Sequence, residues 1–127
     1  MLGLPIGSLF RSTVSAIIRA DKRTSIKFGG FGVSDHLLSP TSAARVQVLI
    51  SDIEPGGGGG DALYSLHSEE EFVFILTGSV TILVESDEVR LEEGDAMTFD
   101  PRRRHTFRNS SKTEYARALF VLSPPPV

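Results

Sequence analysis

The 127-residue chain contains no cysteine and no tryptophan. It therefore has no thiol nucleophile, no thiolate ligand for zinc and no disulfide to hold it together, and a reducing, cytoplasmic location is expected. An excess of cationic residues is missing too. Thirteen Lys and Arg against sixteen Asp and Glu give a formal charge of -3, the wrong sign for a surface that neutralises phosphates, so direct nucleic-acid binding by this chain is not expected. No apolar run is long enough to cross a bilayer, and no membrane partner is expected. The apolar start MLGLPIGSLF lacks a basic leader and is broken by Gly3, Pro5 and Gly7, which argues against a signal peptide. Helical periodicity is scarce. Histidine is scarce as well, only three in the whole chain, and one of them, His67, precedes, with one residue between, three successive glutamates.

What is present is a series of short segments with period-two alternation, separated by turn residues. At this length and with 40% hydrophobic content, the chain is expected to form a single all-β domain, a jelly roll or barrel. In ARVQVLISDI, Val46, Val48 and Ile50 alternate with Arg45, Gln47 and Leu49; in SVTILVE, Val80, Ile82 and Val84 alternate with Thr81, Leu83 and Glu85. Further strands are predicted in VSAIIRA, RTSIKF, EFVFIL, EVRLEE, AMTFD, HTFRN and EYARALFVL. Ser86-Asp87 is read as a hairpin turn, LEEGD (91–95) as another turn, and SPPPV as a tail that cannot continue a ladder. The glycine run 56–60 is expected to be a flexible surface loop. It lacks the Lys-Ser/Thr and helix that a phosphate loop needs, and GGFG (29–32) is likewise expected to be a turn.

Parity then organises the polar residues. If the chain is extended from Ser65 onward, His67, Glu69, Glu71, Val73 and Ile75 share a face, while Phe72, Phe74 and Leu76 take the other. About thirty residues later, His105, Phe107 and Asn109 share parity after the Pro101 turn, so a second imidazole is placed to enter the same cavity. His36 matches no pattern and is expected at a strand end or on the surface. Arg102, Arg103 and Arg104 form a basic turn from which one guanidinium could reach an acidic effector.

These two segments resemble the paired motifs of the cupin superfamily, small double-stranded β-helix (jelly-roll) barrels. Gly60, Ser65-x-His67, Glu71 and Gly78 fit the spacing of the first motif, with Ser65 where the family has a histidine. Gly94, Asp95, Pro101, His105 and Asn109 fit the second, with Arg103 where the family usually has glycine. The resemblance implies a metal site formed by His67, Glu71 and His105, able to hold one divalent ion such as Zn, Fe, Mn or Ni. With Ser65 in place of the fourth ligand the site is weakened, and the alternative is a hydrogen-bonded His67–Glu71 pair at the pocket mouth. Tyr64, Ser65 and Phe107 are the candidate ligand-binding residues, and no catalytic residue is assigned.

A narrower resemblance, carried by SLF, IIRADKR, LLSP, EPGG and FVLSPP, is to the C-terminal cupin domain of XRE-type helix-turn-helix transcriptional regulators. It implies that residues 1–12 resemble the end of a DNA-binding domain or linker, 13–54 form N-terminal strands, 55–123 the two-motif barrel and 124–127 a tail. The expected function is then a sensor module that binds a small-molecule effector and forms a homodimer through its extra N-terminal strands. The alternative is a small metal-dependent enzyme, an oxygenase, isomerase or lyase; a structural barrel with a filled interior is a third reading.

Overall fold

The computed structural model describes residues 16–126. The stretch 1–12 lies outside the described residues, as does the start of VSAIIRA. The rest of that segment is not a strand: Ile17 is exposed with no ladder beside it, and a 3-10 turn forms at Ala20–Lys22. Nine strands follow, β1 (Ser25–Ile26), β2 (Phe31–Leu37), β3 (Gln47–Gly58), β4 (Glu70–Thr77), β5 (Ser79–Val84), β6 (Asp87–Glu92), β7 (Ala96–Phe99), β8 (His105–Arg108) and β9 (Ala116–Ser123). Every pairing is antiparallel. The ladder runs β6-β5-β8-β3-β9-β4-β7, with β2 on the other edge of β3 and β1 beyond it. It curls into a nearly closed all-β barrel, as the alternation predicts.

The alternation is explained by which face each strand turns inward. On β4, Glu71, Val73 and Ile75 are buried and Phe72, Phe74 and Leu76 half-buried, the predicted phase. On β5, Val80, Ile82 and Val84 are buried, again as predicted, and Ala116, Ala118, Phe120 and Leu122 of β9 face them across the core. On β3 the alternation leaves the inward face open, and the structure fixes it. Leu49, Ser51 and Ile53 form its buried face while Val46 is exposed, because β3 pairs with β9 from Gln47 to Ile53 and with β2 from Leu49 onward, so Ile50 is covered on both edges. The predicted Ser86-Asp87 turn lies one residue earlier: Val84 pairs with Asp87, and Glu85 and Ser86 make the turn with Glu85 in the left-handed region.

The glycine run is the larger correction. It is not a flexible loop, because β3 continues through Gly58, which pairs with Phe31 of β2 and with Arg108 of β8. Three backbones meet there. A Cβ on Gly57 would lie 2.7 Å from the Gly32 carbonyl oxygen, and one on Gly58 would lie 2.3 Å from the Phe107 carbonyl oxygen. Glycine is the residue that permits this approach. The same strand carries the chain across positions 54 and 55, so the N-terminal strands and the two-motif segment share one ladder. Strand β2 was hidden from the sequence reading by GGFG, of which Phe31 and Gly32 are strand residues.

This junction gives a stability prediction. Gly58→Ala should lower unfolding free energy by about 1–3 kcal/mol, since the added methyl meets backbone that cannot yield, and the loss should appear as a lower denaturant midpoint in chemical unfolding.

Candidate functional site

A cavity of about 380 Å³ opens into the barrel, within the size range of small-molecule pockets. Leu49 of β3, Phe107 of β8 and Phe120 and Leu122 of β9 form its apolar wall, Phe28 stands at the N-terminal side, and the segment Ala62–Leu66 borders it. Five polar side chains reach this lining: Asp35 of β2, Ser51 of β3, Tyr64 and Ser65 of the segment before β4, and Glu71 of β4. Tyr64, Ser65 and Phe107, the predicted ligand contacts, all line it.

Behind Glu71 lies His105, only 2% exposed. Its ring sits between Tyr64 (centroids 4.6 Å apart) and Phe99 (5.0 Å). Its Nδ1 lies 2.8 Å from the Arg103 carbonyl oxygen, which can only accept, so Nδ1 carries a hydrogen and Nε2 is turned to Glu71. Nε2 and Glu71 Oε1 are 3.4 Å apart, within ion-pair range, yet neither atom has a hydrogen-bond partner. Burial presses the imidazole toward its neutral form, but the Glu71 carboxylate and the Arg103 carbonyl together outweigh burial and raise its pKa.

The predicted three-residue cluster does not assemble. Strand β4 begins only at Glu70, and residues 65–69 are a series of bends held by Leu66 N–H to the Pro101 carbonyl and Glu69 N–H to the Ser123 carbonyl. The parity count therefore does not extend back to His67, which is exposed and does not line the cavity. Glu71 and His105 meet without it. Among the described residues no group of three His, Cys, Asp or Glu could hold a metal ion, and two donors fall short of the three protein ligands that catalytic metal sites use. The residues present do not fit a resident ion. Nor does Asn109 reach the site: buried, it donates to the carbonyls of Ile53 and Glu114 and accepts from Ser111 N–H, closing the loop before β9. His36 lies half-buried at the end of β2, next to its last residue, as expected of a strand-end position. None of the three turn arginines lines the cavity; Arg102 pairs with Asp100, Arg103 with Glu85, and Arg104 reaches the Leu63 carbonyl.

Asp35 and Ser51 are the site residues that motif reasoning missed. Asp35 is 7% exposed and accepts a short hydrogen bond from the Ser51 hydroxyl. Burial raises its pKa from the ordinary 3.8, against the lowering effects of Ser51 and His36. Tyr64 is likewise pushed upward, first by burial and then by the charges of Glu71 and Asp35, so its phenol stays protonated. A signal for Asp35 did exist: it falls in step with Val33 and Leu37, an acid on the apolar face of a period-two strand.

Residues 49–122 match the family model described as Cupin domain. That is more than half of the chain, and the chain belongs to the cupin family. It is 27% identical over 93 residues to the tetracenomycin polyketide synthase protein TcmJ of Streptomyces glaucescens, covering 73% of this chain and 62% of that relative's length. Among solved structures it superposes on the Fe(II) form of HppE with a TM-score of 0.72 at 23% identity, covering 87% of this chain and 62% of the other. It also superposes on an HTH_3 family transcriptional regulator from Vibrio cholerae, with a TM-score of 0.61 at 18% identity over 74% of this chain and 52% of that one. At such identities these likenesses show the fold alone.

The buried acid yields a pH prediction. A carboxyl whose folded pKa is raised holds its proton more tightly in the folded state, so its stability contribution is full below the unfolded pKa and is lost as pH rises toward the folded one. Asp35→Asn removes that loss. Its melting temperature should match wild type below about pH 4 and exceed it increasingly toward neutrality, read by thermal unfolding across pH.

Proposed function

We propose that the chain is a small-molecule-binding cupin module whose ligand occupies the barrel cavity, and that it serves as the effector-sensing part of a transcriptional regulator. The observation that carries this is the cavity itself: an apolar wall of Leu49, Phe107, Phe120 and Leu122, with a few polar groups placed to orient a guest. The regulatory half of the reading is supported by the sequence resemblance to XRE-type regulators and by the likeness in fold to the Vibrio regulator. Ligand binding would act by favouring one arrangement of a homodimer over another, which requires unequal affinity for the two arrangements.

A second reading, an enzyme, is favoured by one specific feature. Glu71 stands on the cavity wall with His105 behind it, and a carboxylate backed by an imidazole can take a proton from a bound molecule or return it. The metal-dependent form of that reading would require donors beyond this pair.

Two measurements test the proposal. Mass spectrometry of protein purified without added ligand should recover a small molecule chemically unchanged, and Ser65→Trp, at an exposed position on the cavity border, should release it while leaving the fold intact by circular dichroism. Retention by the blocked variant would place the molecule elsewhere. Metal analysis of protein purified without chelators should give the same content for wild type and His105→Ala; a stoichiometric ion lost in the variant would favour the metal enzyme instead.

A further inference from the structure

We infer, resting on the reading of the cavity as a small-molecule site, that its ligand is a small organic amine: a positively charged nitrogen on an apolar or aromatic body. The carrying observation is the Glu71 side chain. It is 6% exposed and lines the cavity, with its Oε1 turned to His105 Nε2 at 3.4 Å. A carboxylate buried in a largely apolar wall is costly, and a bound ammonium would offset that cost with a charge-assisted hydrogen bond from the cavity side.

The remaining wall selects in the same direction. A second carboxylate, Asp35, lines the cavity, and among the described residues no lysine or arginine does. His105 can balance one negative charge from behind Glu71, which leaves the other uncompensated. An anionic ligand would meet two carboxylates, whereas a neutral one would fill the space and leave that second charge uncompensated. Phe28, Tyr64, Phe107 and Phe120 all line the cavity, offering ring faces that attract a cation and apolar surface for the body that carries it. The Tyr64 phenol, kept protonated by burial and by the charges of Glu71 and Asp35, adds a neutral polar group to the same lining.

The test uses three probes of matched size, phenethylamine, 2-phenylethanol and phenylacetate, titrated into the full chain by calorimetry with ligand-induced thermal shift as a second readout. Phenethylamine should bind at least about tenfold more tightly than 2-phenylethanol, and phenylacetate should bind weakest. Glu71→Gln and Asp35→Asn should each narrow the gap between amine and alcohol, with circular dichroism confirming that both variants are folded. If the alcohol binds wild type as well as the amine does, the charge selectivity is overturned while the small-molecule cavity stands. Tighter binding of phenylacetate also overturns it. If none of the probes binds, the cavity reading and the amine inference fall together. Should a variant fail to fold, the wild-type ranking alone still decides.

Discussion

The barrel depends on one backbone crossing. Around Gly57 and Gly58, β3 passes within methyl distance of β2 on one side and β8 on the other. Side chains of ordinary size would hold those strands apart. Strand β2 brings Asp35 and β8 brings His105 and Phe107, so both groups owe their positions to the glycine contact rather than to local propensity. The site is thus a consequence of how closely three strands can approach. The acids and the imidazole come from segments more than thirty residues apart, yet they converge because β3 pairs directly with β2 and β8 and reaches β4 through β9.

The second constraint is the placement of ionisable groups where water is scarce. Asp35, Glu71 and His105 are all buried, at or just behind a cavity wall that is mostly apolar. Burying charge opposes folding unless the charge is paired and hydrogen-bonded, and replacing such groups with apolar ones of similar size often stabilises a protein. Asp35 is partly relieved by Ser51 and His105 by the Arg103 carbonyl, but the atoms that Glu71 and His105 turn toward each other remain without hydrogen bonds. A fold selected for stability alone would not keep them. Glu71 and Asp35 nonetheless stand on the cavity wall, so carboxylates that weaken the folded barrel are also placed where a guest could meet them.

Much of the fold was legible in the residues. The strand pattern located eight of the nine strands and the shared face of Glu71, Val73 and Ile75 on β4, and the spacing of Glu71 and His105 pointed to their meeting. What escaped had local causes. GGFG reads as a turn because two of its residues suit one, and nothing nearby reveals that Phe31 and Gly32 are paired to a strand twenty-odd residues away. The phase of β3 is ambiguous in sequence because both its faces are apolar near Ile50, and only the two flanking strands decide which is the interior. His67 was misplaced by assuming that β4 begins before Glu70; backbone hydrogen bonds to Pro101 and Ser123, set by tertiary contact, bend the chain there. Motif spacing constrains distance along the chain, whereas ligation requires direction.

Charge sorting between the two surfaces of the barrel completes the account. Five arginines of the outer surface are met by carboxylates: Arg90 by Glu92, Arg102 by Asp100, Arg103 by Glu85, Arg108 by Glu88 and Arg117 by Asp52. Each such pair is solvated and contributes little to stability, but together they occupy guanidinium groups outside the barrel. Inside, two carboxylates line the cavity, and His105 stands beside Glu71 alone. The asymmetry cannot be read from the net charge of -3, which averages over both surfaces. It arises because β2 and β4 each turn one acid inward while the basic residues of β6, β8 and β9 alternate outward, so strand parity itself makes the interior the more negative side.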